Sequence, residues 1–328
     1  MKQRFWEIDT LRGIAIVMMI IYHFLWSLYF FGYVQFETLI SPFWKYFQRS
    51  IACNFVMLVG VSLVVSHIAA RQAAQNKQAT RRPKRKQSDS TPKPWWIQVI
   101  PYGWFLIVPS ALFIAIMASQ PIGKLQRVIA IVYLIVLSAT WLWEKFGNAG
   151  DQQGVYKSRS GFSKSLWRGL WVFGWGMVVS TSVAVGGTGS VDFGVLHLIG
   201  FSIIASYPFL NFRWINLGLW LLFNMVGYYL MPARADDIWF VWLGWRPDGY
   251  AAVDFFPIFP WFGVVLLGIA IGNFVYSEDG RTFSLPDLSE FFPPNMLQWL
   301  GKRSLFIYLI HQPIIFAILS ILVSLGLI

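Results

Sequence analysis

The sequence has a single cysteine, Cys53, in 328 residues, so it forms no intrachain disulfide and no cysteine-built metal site. It has only four histidines, and no two of them share a helix at metal-ligand spacing, so no metal is expected. Charged residues make up 12%, about half the share of an ordinary soluble domain. The acidic ones are the scarcer, 15 against 26 Lys and Arg. With 56% hydrophobic residues beside so little charge, a disordered chain, a coiled coil and a water-soluble enzyme are all excluded.

What the chain does contain is long apolar runs. Windows free of Lys, Arg, Asp and Glu cover residues 13–36, 50–70, 94–123, 128–143, 169–191, 193–212, 214–233, 255–277 and 304–328. A membrane span needs about 20 mostly apolar residues, and an isolated strand in lipid leaves its backbone unpaired, so each window predicts a helix. The expected fold is all-α: a polytopic transmembrane bundle of nine spans over residues 1–328. The shorter apolar run 291–301 predicts an interfacial segment.

Charge sets the orientation. With the N-terminus in the cytoplasm and the C-terminus outside, inner segments hold twenty of the 26 basic residues and outer segments six. The net charge of +11 therefore lies on the inner side. Segment 71–94 alone carries eight basic residues against Asp89, and its polarity and prolines predict a disordered cytoplasmic loop. Such a loop suits anionic lipid headgroups; no nucleic-acid partner is expected. The expected location is the inner (plasma) membrane, crossed several times.

Polar side chains inside apolar helices cost free energy and ask for a reason. The first helix has three within EIDTLRGIAIVMMIIYHFLW: Asp9, Arg12 and His23. Asp9 and Arg12 are spaced to pair. His23 follows Arg12 by eleven residues, three turns plus about 20°, which puts both on one face about 16 Å apart. A long anionic donor held at Arg12 would reach His23 with its far end. In the last helix, within GKRSLFIYLIHQPII, His311 lies near mid-membrane with Ser304 and Tyr308 on its face. His197, in DFGVLHLIG, sits about one turn inside the outer mouth of its helix, close in sequence to Asp192. Asp254 precedes Pro257 and Pro260, which are expected to interrupt the eighth helix, and Trp261 follows in a tryptophan-rich outer segment suited to stacking on sugars.

The segments EIDTLRGIAIVMMIIYHF, VDFGVLHLIG, AVDFFPIFPWFGVVLLGIAIG and GKRSLFIYLIHQPII, in this order, resemble the bacterial relatives of the heparan-alpha-glucosaminide N-acetyltransferase catalytic domain. The arginine, ten residues, then histidine of the first helix also resembles the acyltransferase-3 signature. That family often has an aspartate where this chain has Ser27. Beside this pattern, residues 95–143 look like an inserted helical hairpin.

The resemblance implies an integral membrane acyltransferase using acetyl-CoA or another acyl-CoA as co-substrate, with a sugar or glycolipid acceptor on the outer side. Carried over, His23 matches the acyltransferase-3 histidine to which catalysis is ascribed and Arg12 its arginine, while His197, Asp254 and His311 fall in shared motifs. The mechanism expected from this makes His23 and His311 catalytic, with His23 as general base and His311 or Tyr308 bonding the oxyanion. Arg12, Asp9, Ser304 and Tyr308 would serve the acyl-CoA, and His197, Asp254 and Trp261 the acceptor. A homodimer is an admissible assembly. Two rival readings use the same buried polar residues: a transporter or lipid flippase, and a non-catalytic membrane partner subunit.

Overall fold

The apolar runs fold as helices because in lipid only a helix satisfies its own backbone. The computed structural model describes residues 5–79, 156–187, 189–230, 234 and 238–327. Its helices are α1 (Trp6–Phe30), α2 (Phe36–Ile40), α3 (Pro42–Ala79), α4 (Tyr156–Val185), α5 (Val195–Ala205), α6 (Trp214–Leu230), α7 (Ile258–Val275), α8 (Pro294–Lys302) and α9 (Ser304–Ser324). Short 3₁₀ turns occupy Tyr207–Phe209 and Ile238–Leu243, and a small antiparallel hairpin pairs β1 (Tyr276–Ser277) with β2 (Gly280–Arg281).

Among the described residues four helices are long and apolar enough to cross a membrane: Trp6–Phe30, Pro42–Asn76, Ile258–Val275 and Ser304–Ser324. They turn apolar side chains outward as well as inward. Ile21 of α1, Tyr46 of α3 and Ile321 of α9 are all exposed. In water such a surface would aggregate; against acyl chains it is the matching one.

Several boundaries differ from the sequence reading. The helix α3 runs on to Ala79, into the segment read as a loop from residue 71. Its RQAAQNKQA end is built of strong helix formers, and polarity excludes lipid without excluding a helix. The window 193–212 yields the 11-residue α5, about 16 Å long, followed by a 3₁₀ turn. The interruption expected at Pro257 and Pro260 falls in the first turn of α7. Phe259 is extended (φ −96°, ψ 123°), so the regular helix starts at Pro260, where a proline costs no hydrogen bond. The expected hairpin 95–143 and the remainder of the 71–94 loop lie outside the described residues.

The chain divides into two compact units. The first comprises Met1–Ala69, Asn211–Leu217 and Val264–Ile328. Within it α1 is the central element. Ile16 and Met19 of α1 pack with Ile51 of α3, and Leu300, Ile307 and Tyr308 close over them from α8 and α9. Phe5 and Ile8 form a second cluster with Leu58, Val61 and Tyr276. Lipid tails are as apolar as leucine, so helices here associate through close packing and polar contacts rather than water exclusion. Gly301 of α8 meets α1 so closely that a Cβ would fall on the Asp9 carbonyl, and Gly13 meets Leu297 the same way.

The second unit comprises Ala70–Leu210 and Gly218–Gly263. There α4 packs on α5, and the chain before α5 is fastened to the segment before α7. Phe193 forms a parallel bridge with Phe255, with Phe256 N–H donating to the Phe193 carbonyl at 2.8 Å. Phe223 of α6 stacks on Phe259 at 4.6 Å.

Candidate functional site

The first unit brings His23 of α1 against His311 of α9, ring centroids 4.8 Å apart and 68° between planes. Each ring is held by its own helix. His23 Nδ1–H donates to the Met19 carbonyl at 2.9 Å, one turn back. His311 Nδ1–H donates to the Tyr308 carbonyl at 2.7 Å, with the Ile307 carbonyl at 3.2 Å. A carbonyl can only accept, so both rings carry a proton on Nδ1, and in the neutral imidazole Nε2 is then a bare lone pair. His311 is buried, and its Nε2 has no hydrogen-bond partner among the described residues. Tyr308 flanks it, ring centroids 5.7 Å apart. Ser304 opens α9, seven residues before His311, about 10 Å along the axis.

Two further polar residues complete this cluster. Ser27, fully buried and one turn beyond His23, donates its hydroxyl to the His23 carbonyl at 2.7 Å. Gln312 Nε2 donates to the same hydroxyl oxygen at 3.4 Å, and its Oε1 is buried without a partner among the described residues. The sequence reading passed over Gln312. The signal was a glutamine beside a histidine in an otherwise apolar helix, which asks for the same explanation as the histidine.

Toward the N-terminal end of α1, Arg12 is occupied. Its Nη1 pairs with Asp9 Oδ1 at 3.4 Å, and its Nη2 donates to the Ser62 hydroxyl of α3. Asp9 is almost wholly buried, so the pair neutralises a carboxylate that would otherwise be costly. Arg12 and His23 lie on one unbroken helix, as the spacing predicts. Nearby, Glu7 Oε1 accepts from Tyr276 and pairs with Arg281, both at 3.1 Å, tying the β-hairpin to the start of α1.

His197 and Asp254 meet in the second unit, at the N-terminus of α5. His197 Nδ1 accepts from Gly194 N–H at 3.1 Å, and Asp254 Oδ2 accepts from Val195 N–H at 3.0 Å. Helix starts leave backbone N–H groups unpaired, and these two side chains cap them. His197 Nε2–H points at Met177 Sδ, 3.3 Å away, so both of its nitrogens are engaged. Its tautomer is opposite to that of the His23 and His311 pair. Phe173 packs edge-on against the ring at 4.9 Å. Trp261 packs on Phe256, centroids 4.7 Å apart. In the segment before α7, Tyr250 donates to Asp192 at 2.7 Å; burial first, then this carboxylate, pushes the phenol above its ordinary pKa.

Among the described residues no group of three or more His, Cys, Asp or Glu could hold a metal ion. Cys53, the single cysteine, is exposed. The profile of the family described as "Heparan-alpha-glucosaminide N-acetyltransferase, catalytic" matches residues 4–86 and 117–313. No curated protein and no solved structure matches the chain.

Proposed function

The chain belongs to the heparan-alpha-glucosaminide N-acetyltransferase catalytic family, and on that premise we propose that it moves an acetyl group from cytoplasmic acetyl-CoA to a sugar or glycolipid on the outer side. The family makes it a membrane acyltransferase. The donor, the acceptor and the sidedness belong to this reading, as do the nine spans with the N-terminus inside. The observation that carries it is the imidazole pair. Two histidines between apolar helices, each with Nδ1 occupied and Nε2 left as a lone pair, form a base that a purely structural pair does not need.

In this mechanism His23 and His311 act together as general base. The acceptor amine or hydroxyl attacks the thioester carbonyl, an Nε2 takes its proton, and the CoA sulfur leaves with a proton in turn. A positioned base of this kind contributes about 10²–10⁴-fold to rate. The neutral pair has no N–H left for an oxyanion. That role falls to the imidazolium formed on proton transfer, or to the Tyr308 hydroxyl. Arg12, already balanced by Asp9, serves the donor through α1's position as much as through charge. Lys302 and Arg303 beside Ser304 add cations at the same end of α9. The acceptor-side residues of the reading are His197, Asp254 and Trp261. The first two act by holding the chain before α5 in place.

The test uses the purified protein in vesicles with labelled acetyl-CoA on one side and amino-sugar acceptors on the other. Label appearing on the acceptor supports the reading. Acceptor counterflow with no acyl consumed replaces it with a transporter.

A further inference from the structure

The cluster around His311 contains more acceptors than donors, and the bonding fixes which atoms these are. The Ser27 hydroxyl has committed its proton to the His23 carbonyl, so toward Gln312 it can only accept. The Gln312 amide must therefore present Nε2 to Ser27 and turn Oε1 away. His311, with Nδ1–H on the Tyr308 carbonyl, presents a bare Nε2. Both Oε1 of Gln312 and Nε2 of His311 are buried and unpaired among the described residues. They sit on consecutive residues of α9, and their side chains meet the same stripe of α1, at Ser27 and His23 one turn apart. A buried acceptor without a donor costs about 1–3 kcal/mol, and this cluster holds two of them. This is the complement of a ligand that arrives with two hydrogens.

We propose that Gln312 is a substrate-binding residue that selects the acceptor: its Oε1 and His311 Nε2 together receive two hydrogens of the attacking group. The proposal rests on the acyltransferase reading and adds a residue and a selection rule to it. The chemistry fits a primary amine, whose one nitrogen supplies both hydrogens, or a hydroxyl with a second hydroxyl beside it. A lone hydroxyl or a secondary amine leaves one acceptor unpaired. A site with committed hydrogen-bond partners discriminates strongly against a ligand that cannot fill them. In the transfer the nucleophile's nitrogen or oxygen bonds to the acyl carbon and the carbon–sulfur bond breaks. The hydrogen facing His311 passes to Nε2 and from the imidazole pair to the CoA sulfur, giving the acylated acceptor and free CoA. The hydrogen on Gln312 Oε1 stays with the product amide nitrogen or the neighbouring hydroxyl.

The experiment is steady-state transfer from labelled acetyl-CoA by the full-length protein in vesicles, with glucosamine, N-acetylglucosamine and a simple monoalcohol as separate acceptors. Gln312→Met keeps length and removes the acceptor oxygen. It should raise KM for the preferred acceptor by about tenfold while KM for acetyl-CoA stays unchanged, the loss of one hydrogen bond to a committed site. Gln312→Glu restores an acceptor oxygen and should bring the acceptor KM back toward wild type; it also serves as the second probe if the methionine variant does not fold. Glucosamine alone transferring identifies the amine, and N-acetylglucosamine transferring equally well identifies the adjacent hydroxyls. A Gln312→Met enzyme with wild-type acceptor KM, or monoalcohols used as well as either sugar, overturns the proposal and leaves the transferase reading standing. Absence of any transfer by the wild-type protein overturns the reading itself, and the proposal with it.

Discussion

His23 and His311, 288 positions apart in the chain, meet edge to face at 4.8 Å, each locked into the same tautomer by a carbonyl of its own helix. Residues that act as a unit lose their effect together. His311→Ala should cut transfer by about 10²–10⁴-fold, and adding His23→Ala should cost little beyond the worse single change. Turnover of the three variants, at matched amounts in the membrane, checks this. Losses that multiply would show two separate roles.

Arg12 offers a clean separation of structural from substrate-binding work. Removing it in Arg12→Ala takes away the cation paired with the buried Asp9 carboxylate, at a cost of about 3–5 kcal/mol. The double change Asp9→Asn with Arg12→Met removes both charges and should recover most of the thermal stability. If the double variant is stable yet has a greatly raised KM for acetyl-CoA, Arg12 also holds the donor. An unchanged KM assigns the pair to architecture.

Gly301 allows α8 to touch the α1 backbone at Asp9. Gly301→Val must push the two helices apart, and the displaced α8 should become more sensitive to protease added to the detergent-solubilised protein. Digestion at the wild-type rate would contradict this packing.

The Tyr250 phenol is held above its ordinary pKa by burial and by Asp192. A raised folded value favours the protonated form. Its stabilising contribution is complete below about pH 10, the ordinary tyrosine value, and is lost as pH rises through the folded value. Thermal unfolding followed from pH 9 to 12 should fall more steeply in the wild type than in Tyr250→Phe. Parallel slopes would remove Tyr250 from the balance.

The sequence made one half of the site legible and hid the other for a physical reason. Helical period alone put Arg12 and His23 on one face, and hydropathy alone made His311 conspicuous. Gln312 stays silent, and Ser27 shows only as a departure from the family pattern, because their contact spans 285 positions, which no local pattern encodes. The apolar window 193–212 makes His197 conspicuous without showing its partner. In the structure the helix starts at Val195, and a histidine three residues after Gly194 caps it. Asp254 caps the same end from 59 residues away. The extension of α3 to Ala79 was missed because polarity was taken as a loop signal where helix propensity prevailed.

The most direct measurement is single-turnover transfer of labelled acetate from acetyl-CoA by wild-type and His23→Ala protein, side by side in vesicles of equal protein content. The account predicts labelled acceptor from the wild type and a loss of at least about 10²-fold in the variant, with the variant still inserted and folded. Transfer at the wild-type rate by His23→Ala would contradict it.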